Sequence, residues 1–350
     1  MTHPHSRAFH TLDGLRGIAA LLVVPRHLWQ LGAGVSLPES YLAVDLFFLL
    51  SGFVIAYAYD QRLSQPGAVL PFLRIRLIRL YPLYIMGIAL GALSHLGASL
   101  NGWAGWTMTR LTEAILLGVL MIPKTPLTSM GSSELDSPTW TLLPELVANL
   151  IYAALFQWLT KSILLAISMA GAFGLIICRF SYGTLDGGWD FGQLPLIAAR
   201  LSFSFFGGVF LFKLLGDRRQ MRPWTAWSCV VVAGLALSLS PNEQIRPFYE
   251  LGVVLVAFPI IVWIGCQSEP GPMAARIFRF MGLVSYAVYV LHQPAGAFFE
   301  IFLKRSLHLN METTFTANIA LAAFFGCLLL GCWLIDRYYD NPLRKWLNRR

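Results

Sequence analysis

Long apolar stretches with short polar breaks recur along the whole chain, near residues 12–31, 41–59, 80–97, 141–159, 161–178, 195–215, 224–240, 249–266, 280–303 and 314–335. A helix that crosses a bilayer needs roughly 20 mostly apolar residues. The pattern therefore predicts an all-α polytopic membrane protein of about ten transmembrane helices around a polar lumen. An eleventh run, Leu111 to Ile122, is about 12 residues long, the range of interfacial or re-entrant segments.

Charge placement orients these spans. With ten crossings and a cytosolic N-terminus, the cytosolic loops hold Arg62, Arg74, Arg76 and Arg79, then Lys161, then Arg218, Arg219 and Arg222, then Arg276 and Arg279, and last Arg344, Lys345, Arg349 and Arg350. Basic residues belong on the cytosolic side. If Leu111 to Ile122 crossed, every later loop would invert and the cluster GDRRQMR would face outward. That run is accordingly expected at the outer interface, with both termini cytosolic.

Composition narrows the class. Hydrophobic residues make up 56% and charged residues 13% of the 350, with mean hydropathy +0.62, against roughly 25% charged residues in a soluble domain. A soluble multidomain enzyme is excluded. The net charge of +8 sits in the loops as an orientation signal, so nucleic acid is not expected as a partner and membrane lipid is. The opening MTHPHSRAFHTLDGLRG carries no cleavable signal pattern and is read as retained. One membrane domain over 1–350 is expected, without a fused extracytoplasmic hydrolase-like domain. Cys178, Cys229, Cys266, Cys327 and Cys332 form no CxxC and have no paired His, so neither a disulfide framework nor a metal site is expected.

Charges inside spans are costly and mark function. The first span holds Arg16, Arg26 and His27. Arg16 and His27 are separated by about 1100° of helical rotation, three turns plus roughly 20°, so they share a face about 16 Å apart along the axis. Singly, Arg16 reads as a snorkelling helix-end residue and His27 as a structural histidine; the other buried charges favour a functional pair. The second span carries Asp45, followed by Ser51. A short hairpin from Leu31 to Ser40 makes the two spans antiparallel neighbours and puts His27 and Asp45 at similar depth, so a His–Asp pair is geometrically available.

The segment PFLRIRLIRLYPLY brings Arg76 and Arg79 to neighbouring positions on one helix face. Guanidinium forks suit phosphate, and a basic anchor on anionic lipid is the alternative. On the outer side SPTWTLLPELVANLIY puts Glu145 one turn into a span, after Trp140 at the interface. GLVSYAVYVLHQP adds Ser285, Tyr286 and Tyr289 and buries His292 near mid-membrane.

Taken in order, LDGLRGIAALLVVPRH, VDLFFLLSGFVI, RLIRLYPLY, SPTWTLLPE and GLVSYAVYVLHQP, with the closing YYDNPLRKWL, resemble the acyltransferase 3 family of bacterial membrane acyltransferases over essentially the full chain. The resemblance implies acyl-CoA as the donor, with no permanently bound cofactor. It also implies Arg16 and His27 as the essential pair, Arg76 and Arg79 as contacts for the CoA phosphates, and a carbohydrate or glycolipid acceptor. Thr141, Pro144 and Asn149 depart from the family pattern and bear on the acceptor side.

The expected activity is transfer of an acyl group, acetyl by default from the resemblance, onto an acceptor hydroxyl at the bacterial inner membrane. His27 would be the general base oriented by Asp45, with an acyl-His intermediate as a variant, and Glu145 would bind or activate the acceptor from outside. The rival readings are a transporter or flippase of a lipid-linked or anionic sugar, and a non-catalytic assembly subunit.

Overall fold

The computed structural model describes residues 9–28, 37–102, 105–306 and 314–349. The start of the chain, most of the expected hairpin from Leu31, the end of the first expected span, and Arg350 lie outside the described residues.

Apolar runs and lipid's lack of hydrogen-bonding partners make helix the local solution nearly everywhere. The elements in order are α1 (His10–His27), α2 (Ala43–Leu63), α3 (Val69–Asn101), α4 (Met108–Val119), α5 (Leu142–Leu155), α6 (Lys161–Tyr182), α7 (Leu194–Arg200) and α8 (Phe206–Leu215). They continue with α9 (Pro223–Ser238), α10 (Arg246–Gly252), α11 (Phe258–Cys266), α12 (Pro272–Ser306), α13 (Thr314–Ile335) and α14 (Asn341–Arg349). Single π-helical turns join α7 to α8, α10 to α11 and α13 to α14. A two-residue parallel ladder, Gln220–Met221 on Ser268–Glu269, ties two loops together.

Among the described residues, seven helical stretches are long and apolar enough to cross a membrane: Pro38–Leu63, Val69–Asn101, Lys161–Tyr182, Phe191–Leu215, Arg246–Cys266, Pro272–Ser306 and Phe315–Arg349. The chain is thus all-α and multi-pass. The other three expected spans coincide with α1, α5 and α9, helices of 18, 14 and 16 residues. The charges Asp13, Arg16 and Arg26 lower the hydropathy of α1.

The centre of the molecule is the pairing of α1 with α12. Gly14 meets Phe278, Gly17 meets Met281, and Leu28 meets Gly296, so the two helices run parallel and in fixed register. Contact is close because glycine stands there: a Cβ on Gly17 would come within 2.3 Å of the Met281 Cβ. Small residues permit this approach in membrane helices. Helix α3 lies parallel to α12, with Tyr286 donating to the Leu80 carbonyl and Gly87 against Val290. Below, the end of the bundle at the start of α1 is called proximal and the other distal.

Helix α4 turns back along α3. Trp106 stacks on His95 near the distal end of α3, while Tyr84 and Tyr81 donate to the carbonyls of Gly118 and Val119. The chain then returns, and the Lys124 backbone pairs with that of the loop after α6, its carbonyl accepting from the Phe191 N–H at 3.1 Å beside Asp190. Both flanks of α4 therefore lie at the distal end, the geometry of a re-entrant segment.

Candidate active site

A cavity of about 190 Å³ runs between α1, α2, α3, α5 and α12. Its polar wall consists of Arg16, Ser51, Tyr59, Arg76, Arg79, Thr141, Glu145, Ser285, Tyr286 and Tyr289. Eight of the residues singled out from sequence thus meet in one space. Each comes from the position that its helix register dictates: Arg16 from the second turn of α1, Arg76 and Arg79 one turn apart on α3, and Ser285 and Tyr289 four apart on α12.

Arg76 is buried and donates to Glu145 Oε1 at 2.7 Å. The same oxygen accepts the Ser51 hydroxyl at 2.7 Å. Arg16 pairs with Asp13 at 3.4 Å. Arg79 lines the cavity and has no ion pair among the described residues. Three guanidinium groups against the carboxylates of Glu145 and Asp13 leave the cavity wall with a net positive charge. Tyr59 also borders a second recess at the proximal rim with Arg62, Arg74 and Asn348, where Arg62 stacks over the Tyr59 ring.

This corrects the expectation that Glu145 faces the outer side. Helix α5 begins deep, because the segment before it folds down into the bundle. Tyr289, from the middle of α12, donates to the Pro138 carbonyl at 2.7 Å and bonds Thr141 at 2.9 Å; Leu135 packs on Gly91. The first turn of α5 is consequently level with Ser51 rather than at the surface. Trp140 does not line the cavity either, and packs against Gly188.

His27 and His292 form a separate polar point beyond the distal end of the cavity. His292 is fully buried, and its Nε2 lies 3.2 Å from His27 Nδ1. The His292 ring is 6.4 Å from that of Tyr289, and Tyr289 packs edge-on against Phe47 at 5.3 Å. Tyr289 and Phe47, both cavity residues, are thus the partition between cavity and imidazoles. Beside His27, Arg26 pairs with Asp186, donates to the Pro38 carbonyl at 2.6 Å and stacks over Tyr41.

The expected His27–Asp45 pair is not what the fold makes. Asp45 is fully buried, accepts from Ser204 at 3.1 Å and lies 3.6 Å from Arg200. Arg200 also donates to the Leu185 carbonyl. The physical reason is the α2–α8 packing: Leu49 and Phe53 meet Gly208, and Gly52 meets Phe205, which turns the Asp45 face of α2 toward α7 and α8. Asp45 neutralises a buried cation instead of orienting a base.

Arg200 is not among the residues expected from sequence, although a lone Arg inside a predicted span is the signal that finds it. The same signal applies to Glu250, which is fully buried, pairs with Arg179 and accepts from Tyr41. Asp13, at the edge of the first span, is a further intramembrane charge of this kind and pairs with Arg16.

Residues 9–337 match the family model described as "Acyltransferase domain", acyltransferase family 3. The chain belongs to this family. Its relatives include "Protein 2 in picA locus" of Rhizobium radiobacter, 42% identical over 164 residues, covering 44% of this chain and 85% of that one. A Bacillus subtilis (strain 168) protein with the provisional name peptidoglycan O-acetyltransferase YrhL is 23% identical over 83% of this chain and 49% of its own length. A protein of Acidianus two-tailed virus, provisionally named acetyltransferase ORF330, is 25% identical over 79% of this chain and 80% of its own length. No solved structure matches. Family membership makes the chain an acyltransferase acting on groups other than aminoacyl groups, which displaces the transporter and assembly-subunit readings.

Proposed function

We propose that the chain transfers an acyl group, acetyl by default, from acyl-CoA to a hydroxyl of a carbohydrate or glycolipid acceptor at the bacterial inner membrane. The observation that carries this reading is the cationic cavity, lined by Arg16, Arg76 and Arg79, which runs from the proximal side toward His27. Guanidinium groups suit a multiply charged phosphate donor.

In this reading Arg79 and Arg16 meet the phosphates, Arg76 is aimed by Glu145, and the nucleotide end rests in the recess of Tyr59, Arg62, Arg74 and Asn348. The thioester arm passes Tyr289 and Phe47, whose movement opens the way to His27. His27 Nε2 takes the acceptor hydroxyl proton and the acceptor oxygen bonds to the thioester carbonyl carbon. The C–S bond breaks, and the leaving thiolate receives the proton. Ester and free CoA thiol are the products. A base of this kind contributes roughly 10² to 10⁴ in rate.

The parallel run of α1, α3 and α12 and the return of α4 to its starting end support ten crossings with both termini on one side, and the basic loops of that side support the cytosol. The O-acetyltransferase naming of the Bacillus relative supports acetyl and a glycan acceptor.

The test is acetyl-CoA consumption by the full chain in lipid nanodiscs, supplied with acceptor from native membranes, with His27→Gln as control. Turnover lost in His27→Gln with acetyl-CoA binding intact is the expected result. Absence of acetyl-CoA binding to the wild-type protein overturns the donor assignment.

A further inference from the structure

The pair His27 and His292 carries more than proximity. Both rings are bound by a backbone carbonyl that can only accept: His292 Nδ1 lies 2.9 Å from the Val288 oxygen, and His27 Nδ1 lies 3.2 Å from the Val23 oxygen. An imidazole nitrogen facing a carbonyl must carry the hydrogen. His292 is therefore the Nδ1–H tautomer, and its Nε2 holds the lone pair. That lone pair faces His27 Nδ1 at 3.2 Å, so the Nδ1–H of His27 is shared between the Val23 carbonyl and His292. The one nitrogen left with a lone pair outside this chain of bonds is His27 Nε2.

We infer that His292 is the positioning residue of the transfer reaction: it accepts from His27 Nδ1, holds the ring at one angle, and stabilises the imidazolium formed when Nε2 takes the acceptor proton. This is the role that sequence spacing suggested for Asp45, taken here by a neutral group. It rests on the reading of His27 as the base. The chain of bonds ends at the Val288 carbonyl, which cannot take a proton, so charge stays on His27 until the thiolate reclaims it. The nearest charges, Arg26 and Asp186, are paired with each other, leaving His292 as the side-chain acceptor presented to Nδ1 beside the Val23 carbonyl.

The fold secures this alignment rather than leaving it to two mobile side chains. Gly17 against Met281 and Gly296 against Leu28 fix the register of α1 on α12 on either side of the pair. His292 is fully buried, whereas His27 is partly exposed, as expected of a support behind a base that meets substrate.

Two substitutions separate support from other roles. Glutamine at this position offers a carbonyl oxygen near the place of Nε2; methionine fills similar space without a comparable acceptor. Free-thiol release from acetyl-CoA is measured with full-length protein in native membranes, which carry the acceptor. His292→Gln is expected to retain turnover within severalfold. His292→Met is expected to lose about 10- to 100-fold in kcat, the size of one hydrogen bond to a charged group, at unchanged KM for acetyl-CoA. In parallel, the His27 Nδ1–H proton resonance, identified by its absence in His27→Gln, should move upfield in His292→Met.

Wild-type turnover in His292→Met with an unmoved resonance would make His292 merely structural and overturn the inference. A His292→Gln enzyme as inactive as His27→Gln would overturn it differently, by making His292 a proton carrier. If His292→Met does not fold, His292→Gln and its spectrum still decide. If His27→Gln itself keeps turnover, the base assignment fails and the positioning role falls with it; loss in His27→Gln alone, with both His292 variants active, sinks only the positioning role.

Discussion

Glu145 Oε1 accepts from both Arg76 and Ser51, each at 2.7 Å, joining α5, α3 and α2 at the floor of the cavity. Removing one partner of a buried ion pair strands the other charge, at about 3 to 5 kcal/mol, whereas losing one neutral donor costs about 1 kcal/mol. Glu145→Ala should therefore lower the thermal inactivation midpoint far more than Ser51→Ala. Glu145→Gln, which keeps an acceptor for Arg76, should fall between them. Inactivation of the three variants in detergent checks the order, and equal loss in Ser51→Ala and Glu145→Ala would refute it.

Arg79 and Arg76 are one turn apart and face the same cavity, yet only Arg76 has a carboxylate partner. Arg79→Ala should raise the apparent KM for acetyl-CoA about tenfold or more, from the loss of a charge-assisted contact of about 1.5 to 3 kcal/mol. With acetyl-pantetheine, which lacks the nucleotide phosphates, the change should be small. Arg76→Ala should in addition reduce stability, because Glu145 is left unpaired. An equal effect of Arg79→Ala on both donors would return Arg79 to the role of a lipid anchor.

Much of this was legible in the sequence, because apolar length and intramembrane charge are local signals. Seven of the expected spans coincide with described helical stretches long and apolar enough to cross a membrane, and the arginines of RLIRLYPLY do share a cavity with Arg16 and Glu145. Which charges pair was not legible. Asp45 finds Arg200 rather than His27 because glycine contacts set the rotation of α2 on α8, and no spacing within one helix encodes that rotation. The depth of Glu145 is not legible either, because the stretch before α5 reads as a surface loop. Its descent depends on bonds to Tyr289, about 150 residues away in sequence.

Gly17 tests the α1–α12 register. A Cβ there would collide with the Met281 Cβ at 2.3 Å, and overpacking costs about 1 to 3 kcal/mol. Displacing a reacting group by about 1 Å can cost 10²-fold in rate. Gly17→Ala should therefore lower kcat strongly while acetyl-CoA binding, which the proposed function assigns to the arginines, changes little. Gly97, around which an added Cβ meets nothing, is the control, and Gly97→Ala should leave kcat unchanged.

Membrane topology is open to cysteine labelling. In a background lacking the exposed native thiol Cys327, a cysteine at exposed Arg218 should react with impermeant reagent only from the cytosol. One at Leu127, in the loop after α4, or at Trp189 should react only from outside. Reaction of Arg218→Cys from outside would mean that α4 crosses, against the return of Lys124 to Asp190.

Asp45 separates structure from chemistry. Because it faces Arg200 and Ser204, both buried, Asp45→Asn leaves a guanidinium without its counter-charge in the interior. The consequence should be loss of folded protein, on the order of 3 to 5 kcal/mol, rather than a selective fall in kcat. Replacing a buried ion pair wholly by apolar residues is often neutral or stabilising, so Asp45→Leu combined with Arg200→Met should recover most of the yield lost in Asp45→Asn. Recovery will be incomplete, since Arg200 also donates to the Leu185 carbonyl. Any folded fraction of the double variant should turn over near the wild-type rate, because His27 keeps His292 as its partner. A well-folded double variant with kcat reduced by 10² or more would restore Asp45 to the catalytic machinery and break the assignment of the buried ion pair as structural.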